Sequence, residues 1–90
     1  MTKQTDKIRS QWESNGWYCI NMIATNKNGI PDYLMKKKGE VDVFVESKES
    51  WDKLSKLQKA RINELIDLGN RVFINDTEVV NKFVFDDFYF

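Results

Sequence analysis

Apolar and polar positions divide this chain into two helical stretches and several short strands. Ile8 and Trp12 stand four apart, one helical turn, in a stretch over residues 6–14. Thr5 is placed to cap that helix, and Asn15-Gly16 to end it, since glycine accepts the left-handed conformation that closes a helix. Trp17 to Ala24 is aromatic and β-branched enough to predict a strand, followed by the turn signal Asn26-Lys27-Asn28-Gly29. A short second strand is predicted over 32–36, just after Pro31, and Lys36-Lys37-Lys38-Gly39-Glu40 reads as a hairpin turn. The third strand spans 41–48, with Val41, Val43 and Val45 on one face and Asp42, Phe44, Glu46 and Lys48 on the other.

The periodicity then changes. At 100° per residue Leu54, Leu57, Ile62, Leu65 and Leu68 form one stripe, predicting a helix over about residues 53–68, capped by Ser50 or Asp52 and closed by Gly69-Asn70. Gln58 falls inside that stripe. A buried amide without partners costs about 1–3 kcal/mol, so Gln58 needs a polar destination, in an active site or on sheet backbone. Arg61 also falls within the stripe, with a stem long enough to carry its guanidinium to solvent or to a phosphate. Arg71 to Asn75 is the fourth strand, and the tail to Phe90 could add another. The order α-β-β-β-α-β predicts an α/β fold, a mixed sheet of about four strands flanked by helices. Ninety residues make one domain, 1–90, with a core over about 5–75 and an apolar tail over 78–90.

Composition narrows the chemistry. The chain has no histidine, which removes histidine metal sites, Ser-His-Asp triads and histidine general bases together. Catalysis here would rest on carboxylates, lysines and a hard metal. The single cysteine, Cys19, sits in an apolar stretch and reads as a buried, inert thiol. No run of 18 apolar residues occurs and no apolar stretch follows the charged start, so neither a membrane span nor a signal peptide is expected. A cytoplasmic protein is. Net charge is zero but unevenly spread: residues 27–61 hold nine Lys/Arg against six Asp/Glu, and residues 62–90 hold two against six. A basic middle can coexist with an acidic end on different faces, because screening limits each field to about 8–10 Å. Charge alone leaves a solvated mixed surface equally open.

Gly29-Ile30-Pro31-Asp32 is followed, fourteen residues after Asp32, by Glu46-Ser47-Lys48. Asp32 opens one strand of a hairpin and Glu46 ends its neighbour, so both carboxylates can meet at one end of the sheet. Glu46 and Lys48, two apart on a strand, share a face. Two carboxylates beside a lysine suit Mg²⁺, which takes few protein ligands and keeps several waters. Such an ion would neutralise phosphate charge and activate water, with Lys48 positioning that water or stabilising the transition state. The alternative is a surface ion pair between Glu46 and Lys48, worth at most about 1 kcal/mol.

These residues resemble the PD-(D/E)XK nucleases and, within them, the virus-type replication-repair nuclease (VRR-NUC) family. The likeness runs through Gly29 to Asp32, Val43 to Lys48, Leu54 to Gln58 and Leu65 to Ile74, in order, over about residues 5–75. It implies Asp32 and Glu46 as Mg²⁺ ligands (Mn²⁺ substituting), with the Ser47 backbone carbonyl as an extra one. It implies Lys48 as the catalytic lysine and Gln58 as the helix glutamine facing the active site. One departure stands out: where the family carries a glutamate near the start of the first helix, this chain has Gln4. That leaves the number of metals and the activity open.

The resemblance implies an endonuclease acting on branched DNA, phage-encoded and at work in its host's cytoplasm, and using no organic cofactor. It also implies a homodimer, which would set two active sites against two strands. A nuclease-like module that binds DNA or a host protein without cutting is the competing expectation, motivated by Gln4, the neutral charge and the tail. Lys36, Lys37 and Lys38 could track a DNA backbone or merely solubilise a hairpin tip. Lys27, before the Asp32 loop, and Arg61 are further phosphate candidates. Trp51, flanked by charges, is the candidate for a base or dimer contact, whereas Trp12, Trp17 and Tyr18 read as core. The tail from Phe83 is too apolar to sit free in water, so it should cover its own sheet, a second subunit or a partner's basic pocket.

Overall fold

The computed structural model describes residues 4–85. Helix α1 spans Gln4–Ser14, so Thr5 lies within its first turn instead of capping it. At its other end Ser14 Oγ and Asn15 Nδ2 donate to the Gln11 carbonyl, and Gly16, at φ 92°, turns the chain out. Strands β1 (Tyr18–Asn21), β2 (Tyr33–Lys36) and β3 (Val43–Glu46) form an antiparallel meander. The chain then crosses over through helix α2 (Lys56–Asp67) to β4 (Arg71–Ile74), which lies parallel to β3. A two-residue strand β5, Thr77–Glu78, closes the edge antiparallel to β4.

The fold is α/β, with a mixed sheet in the order β1-β2-β3-β4-β5. The strands number five, not four, because two residues are too few to leave a periodic signal. Residues 81–85 form no strand, so the expected strand in the tail is not found there; 86–90 lie outside the described residues. The tail is instead held on α2. Asn63 Nδ2 donates to the Phe83 carbonyl and the Phe83 N–H donates to Asn63 Oδ1, both at 2.8 Å. Phe83 thus covers its own domain's core.

The helix expected over 53–68 is two elements. Ser50 caps a 3-10 turn, Trp51–Lys53, that contains Asp52; Ser55 caps α2. Between them Leu54 is extended (φ −69°, ψ 132°) and drops its side chain into the core. Leu57 and Leu68, expected in the apolar stripe, are exposed; the buried face centres on Ile62 and Leu65.

Helices cover both faces of the sheet. Val43 and Val45 pack with Tyr33, Met35 and Ile8 beneath α1, while Phe44, Val72 and Ile74 pack with Leu54, Ile62 and Leu65 beneath α2. Each fully buried aliphatic side chain contributes about 1.5–3 kcal/mol, so β3, buried at all four positions, anchors the structure. Val41, expected to extend β3, lies outside it and exposed. Among the described residues no helix is long and apolar enough to cross a membrane.

Candidate functional site

The register pairs Tyr33 with Val45, so the preceding Asp32 stands opposite the following Glu46 at one end of the β2–β3 ladder. By alternation both project to the α2 face, together with Leu34 and Phe44. The Ser47 N–H donates to Asp32 Oδ2 at 3.0 Å, which ties the first carboxylate to the strand bearing the second. Asp32 is itself set by its carbonyl, which accepts from Met22 N–H at 2.9 Å.

The loop before Asp32 explains its glycine. Gly29 adopts φ 82°, and a Cβ there would lie 2.8 Å from Leu57 Cγ and 3.3 Å from Arg61 Cγ. Only a residue without a side chain lets this loop close on α2. Arg61 completes the closure by donating from Nε to the Asn28 carbonyl at 2.9 Å, while its Nη1 pairs with Glu64.

Glu46 is 3% exposed. Burial first, and then the neighbouring Asp32 carboxylate, push its carboxyl up to about 7, although Lys48 and a backbone hydrogen bond from Asp32 pull the other way. A buried carboxylate needs donors, and α2 supplies one. Gln58 is the third residue of that helix and forms a capping box with Ser55: Ser55 Oγ accepts from the Gln58 N–H, and Gln58 Oε1 accepts from the Ser55 N–H at 2.9 Å. That bond consumes the amide oxygen, leaving Nε2 to donate to Glu46 Oε2 at 3.4 Å. The polar residue in the apolar stripe has its destination, and it is Glu46, not sheet backbone.

Lys48 follows two residues on, beyond the end of β3 rather than on the strand as expected, with Ser47 between them 9% exposed. Lys48 lies near enough to Glu46 to lower its pKa. With Glu46 this deeply buried, a surface ion pair between the two does not describe the arrangement. The Lys48 backbone is gripped by a residue that apolar periodicity does not reveal, Asn75 at the end of β4. Asn75 Oδ1 accepts from the Lys48 N–H at 3.1 Å and Nδ2 donates to the Lys48 carbonyl at 2.6 Å. An asparagine in a two-residue turn, where glycine would serve the backbone, is the signal that could have marked it.

The basic residues are dispersed. Lys36, Lys37 and Lys38 lie at the opposite end of β2 from Asp32, about 13 Å away at roughly 3.3 Å per residue. Lys36 pairs with Asp42 at 2.8 Å, and Lys37 donates to the Asn15 carbonyl while covering the Trp17 ring. Lys27 stays by the site, on the rim of a cavity of about 240 Å³ that Asp32, Asn28, Thr25 and Met22 also line. Trp51 leans on Phe83, ring centroids 6.0 Å apart, so it roofs the tail rather than standing free. Trp12 and Trp17 pack edge to face against each other and Trp12 against Phe73, as core residues do, while Tyr18 is exposed. Cys19 is a half-buried free thiol, its pKa raised by burial.

The donor set is two carboxylates on adjacent strands, one of them buried against like charge. Hard oxygen ligands under that repulsion fit a small dication. Among the described residues no third carboxylate, histidine or cysteine joins them, and the side chain of Gln4 lies outside those residues. No family model, curated protein or solved structure matches the chain.

Proposed function

We propose that this protein is a Mg²⁺-dependent DNA endonuclease of the PD-(D/E)XK type, resembling the VRR-NUC family in its motif residues and acting on branched DNA in the cytoplasm. The observation that carries the reading is the buried Glu46, set against Asp32 and receiving a hydrogen bond from Gln58. A structural domain has little reason to bury a carboxylate beside another carboxylate, at a cost of several kcal/mol, without a cation to answer them. Strongly perturbed groups of this kind cluster at functional sites.

Asp32 and Glu46 would hold the ion, with the Ser47 carbonyl as a further oxygen. When bound, Mg²⁺ supplies charge neutralisation at the scissile phosphate and acidifies a water. Gln58 holds the Glu46 carboxylate in one orientation, and the capping box keeps its amide from turning over. Lys48 brings a positive charge close to Glu46, suited to developing charge on a phosphate oxygen. Lys27, on the rim by Asp32, suits a phosphate on the strand beside the cut.

A binding module without cleavage is the second reading. It is motivated by Gln4, which stands where the family carries a glutamate near the start of the first helix. A cleavage panel separates the two: duplex, flap, single-stranded and four-way-junction DNA, with and without Mg²⁺. The nuclease reading expects Mg²⁺-dependent products from branched substrates, whereas binding without products at every metal concentration supports the module. Sedimentation of the protein with and without junction DNA tests the proposed homodimer.

A further inference from the structure

Strand β3 ends at Glu46 and β4 at Ile74, yet the backbone pairing continues one residue further. The Asn75 N–H donates to the Glu46 carbonyl at 2.8 Å, adding one rung to the parallel ladder. Beyond it β4 has nothing left to offer, because Asn75 and Asp76 turn tightly into β5. The next rung is made by a side chain. The Asn75 amide presents one acceptor and one donor, as a peptide group does, and satisfies both the N–H and the carbonyl of Lys48.

Two features show that this amide is more than a turn residue. Asn75 sits at φ 59°, the one described non-glycine residue with positive φ. Glycine would fill that conformation without steric cost, so the backbone alone gives no reason for a side chain. Asn75 is also tied to α1, where its backbone carbonyl accepts from Trp12 Nε1 at 3.3 Å. The clamp is therefore held rigidly against α1.

We infer that Asn75 is the positioning residue for Lys48, holding it extended past the end of β3 so that its ammonium shares the face of Glu46 and Asp32. The inference rests on the nuclease reading and assigns the site a part that the Gly-x-Pro-Asp and Glu-x-Lys motifs do not contain. Asn75 touches neither carboxylate through its side chain; it acts through Lys48. Its loss should slow the chemical step and leave metal binding alone.

Asn75→Gly tests this, because glycine keeps the left-handed turn while removing both amide bonds. Single-turnover cleavage of the best branched substrate should show the chemical step slowed about ten- to a hundredfold, and calorimetry with Mn²⁺ alone reads metal affinity separately. The KM for DNA and the Mn²⁺ affinity should stay within about twofold. Asn75→Asp, which keeps the acceptor for the Lys48 N–H, should recover part of the loss. Cleavage by Asn75→Gly at the wild-type rate overturns the inference, as does a loss of Mn²⁺ affinity in step with the rate. Wild-type protein that cuts no DNA overturns the nuclease reading itself, and this inference with it.

Discussion

Gln58 Nε2 lies 3.4 Å from Glu46 Oε2 because the other end of the same amide is already taken, its Oε1 accepting from the Ser55 N–H at 2.9 Å. A helix cap and a buried carboxylate thus share one side chain, and the cap decides which end of the amide faces the site. Gln58→Glu separates the two duties. Glutamate keeps the capping box but brings a third carboxylate to Glu46. The variant should fold, lose most cleavage at pH 7 and push the Glu46 pKa higher, measurable by carboxyl carbon NMR. Ser55→Ala should cost about 1 kcal/mol in urea unfolding through the lost cap, with a smaller fall in rate.

The buried Glu46 makes stability depend on pH in a definite direction. Its folded pKa, raised to about 7 from an ordinary 4.5, means the folded state binds the proton more tightly than the unfolded chain does. Between those values the folded state holds more protons, so rising pH erodes stability, and the full penalty is present above 7. At about 1.4 kcal/mol per pKa unit the loss is on the order of a few kcal/mol. Glu46→Gln removes the titration while keeping an acceptor for Gln58. It should be markedly more stable than the wild type at pH 8 and nearly equal to it at pH 4, read as the difference in Tm at the two pH values.

Gly29 offers a test of how the Asp32 loop is built. Gly29→Ala meets Leu57 at 2.8 Å and is strained at φ 82°, so it should destabilise the fold by more than about 1 kcal/mol. Leu57→Ala in the same chain relieves the contact and leaves the strain, recovering only part of the loss. Chemical denaturation of the single and double variants measures both.

What the sequence reveals follows from what periodicity can encode. Val43-Phe44-Val45 marks β3, and Asp32 meeting Glu46 follows once residues 32–36 and 41–48 are paired as a hairpin. Gln58 stands out as a polar residue in an apolar stripe. The helix start is hidden because Ser50, Asp52 and Ser55 are all competent caps, and only the extended Leu54 separates the 3-10 turn from α2. Strand β5 is too short to have a pattern. Asn75 is invisible to an apolar scan because it works through two backbone hydrogen bonds. The lysine hairpin misleads for another reason: charge composition says nothing of which end of a strand a turn occupies, and here it is the end away from Asp32.

The tail can be tested apart from the site. Asn63 alone supplies both hydrogen bonds to the Phe83 backbone. Asn63→Ala should therefore free the segment, strip Phe83 from the already exposed Trp51 ring and shift tryptophan fluorescence to longer wavelength. Stability should fall by about 1–3 kcal/mol. An unchanged emission maximum would mean that Phe83 is held by its apolar contacts instead.

The most direct measurement is single-turnover cleavage of four-way-junction and flap DNA in Mg²⁺ by Asp32→Asn, Glu46→Gln and Lys48→Ala, each shown to be folded by circular dichroism. The account predicts Mg²⁺-dependent cutting by the wild type and at least a hundredfold loss in every variant, on the order expected for removing a metal ligand or transition-state charge. Cutting at the wild-type rate by all three would contradict it.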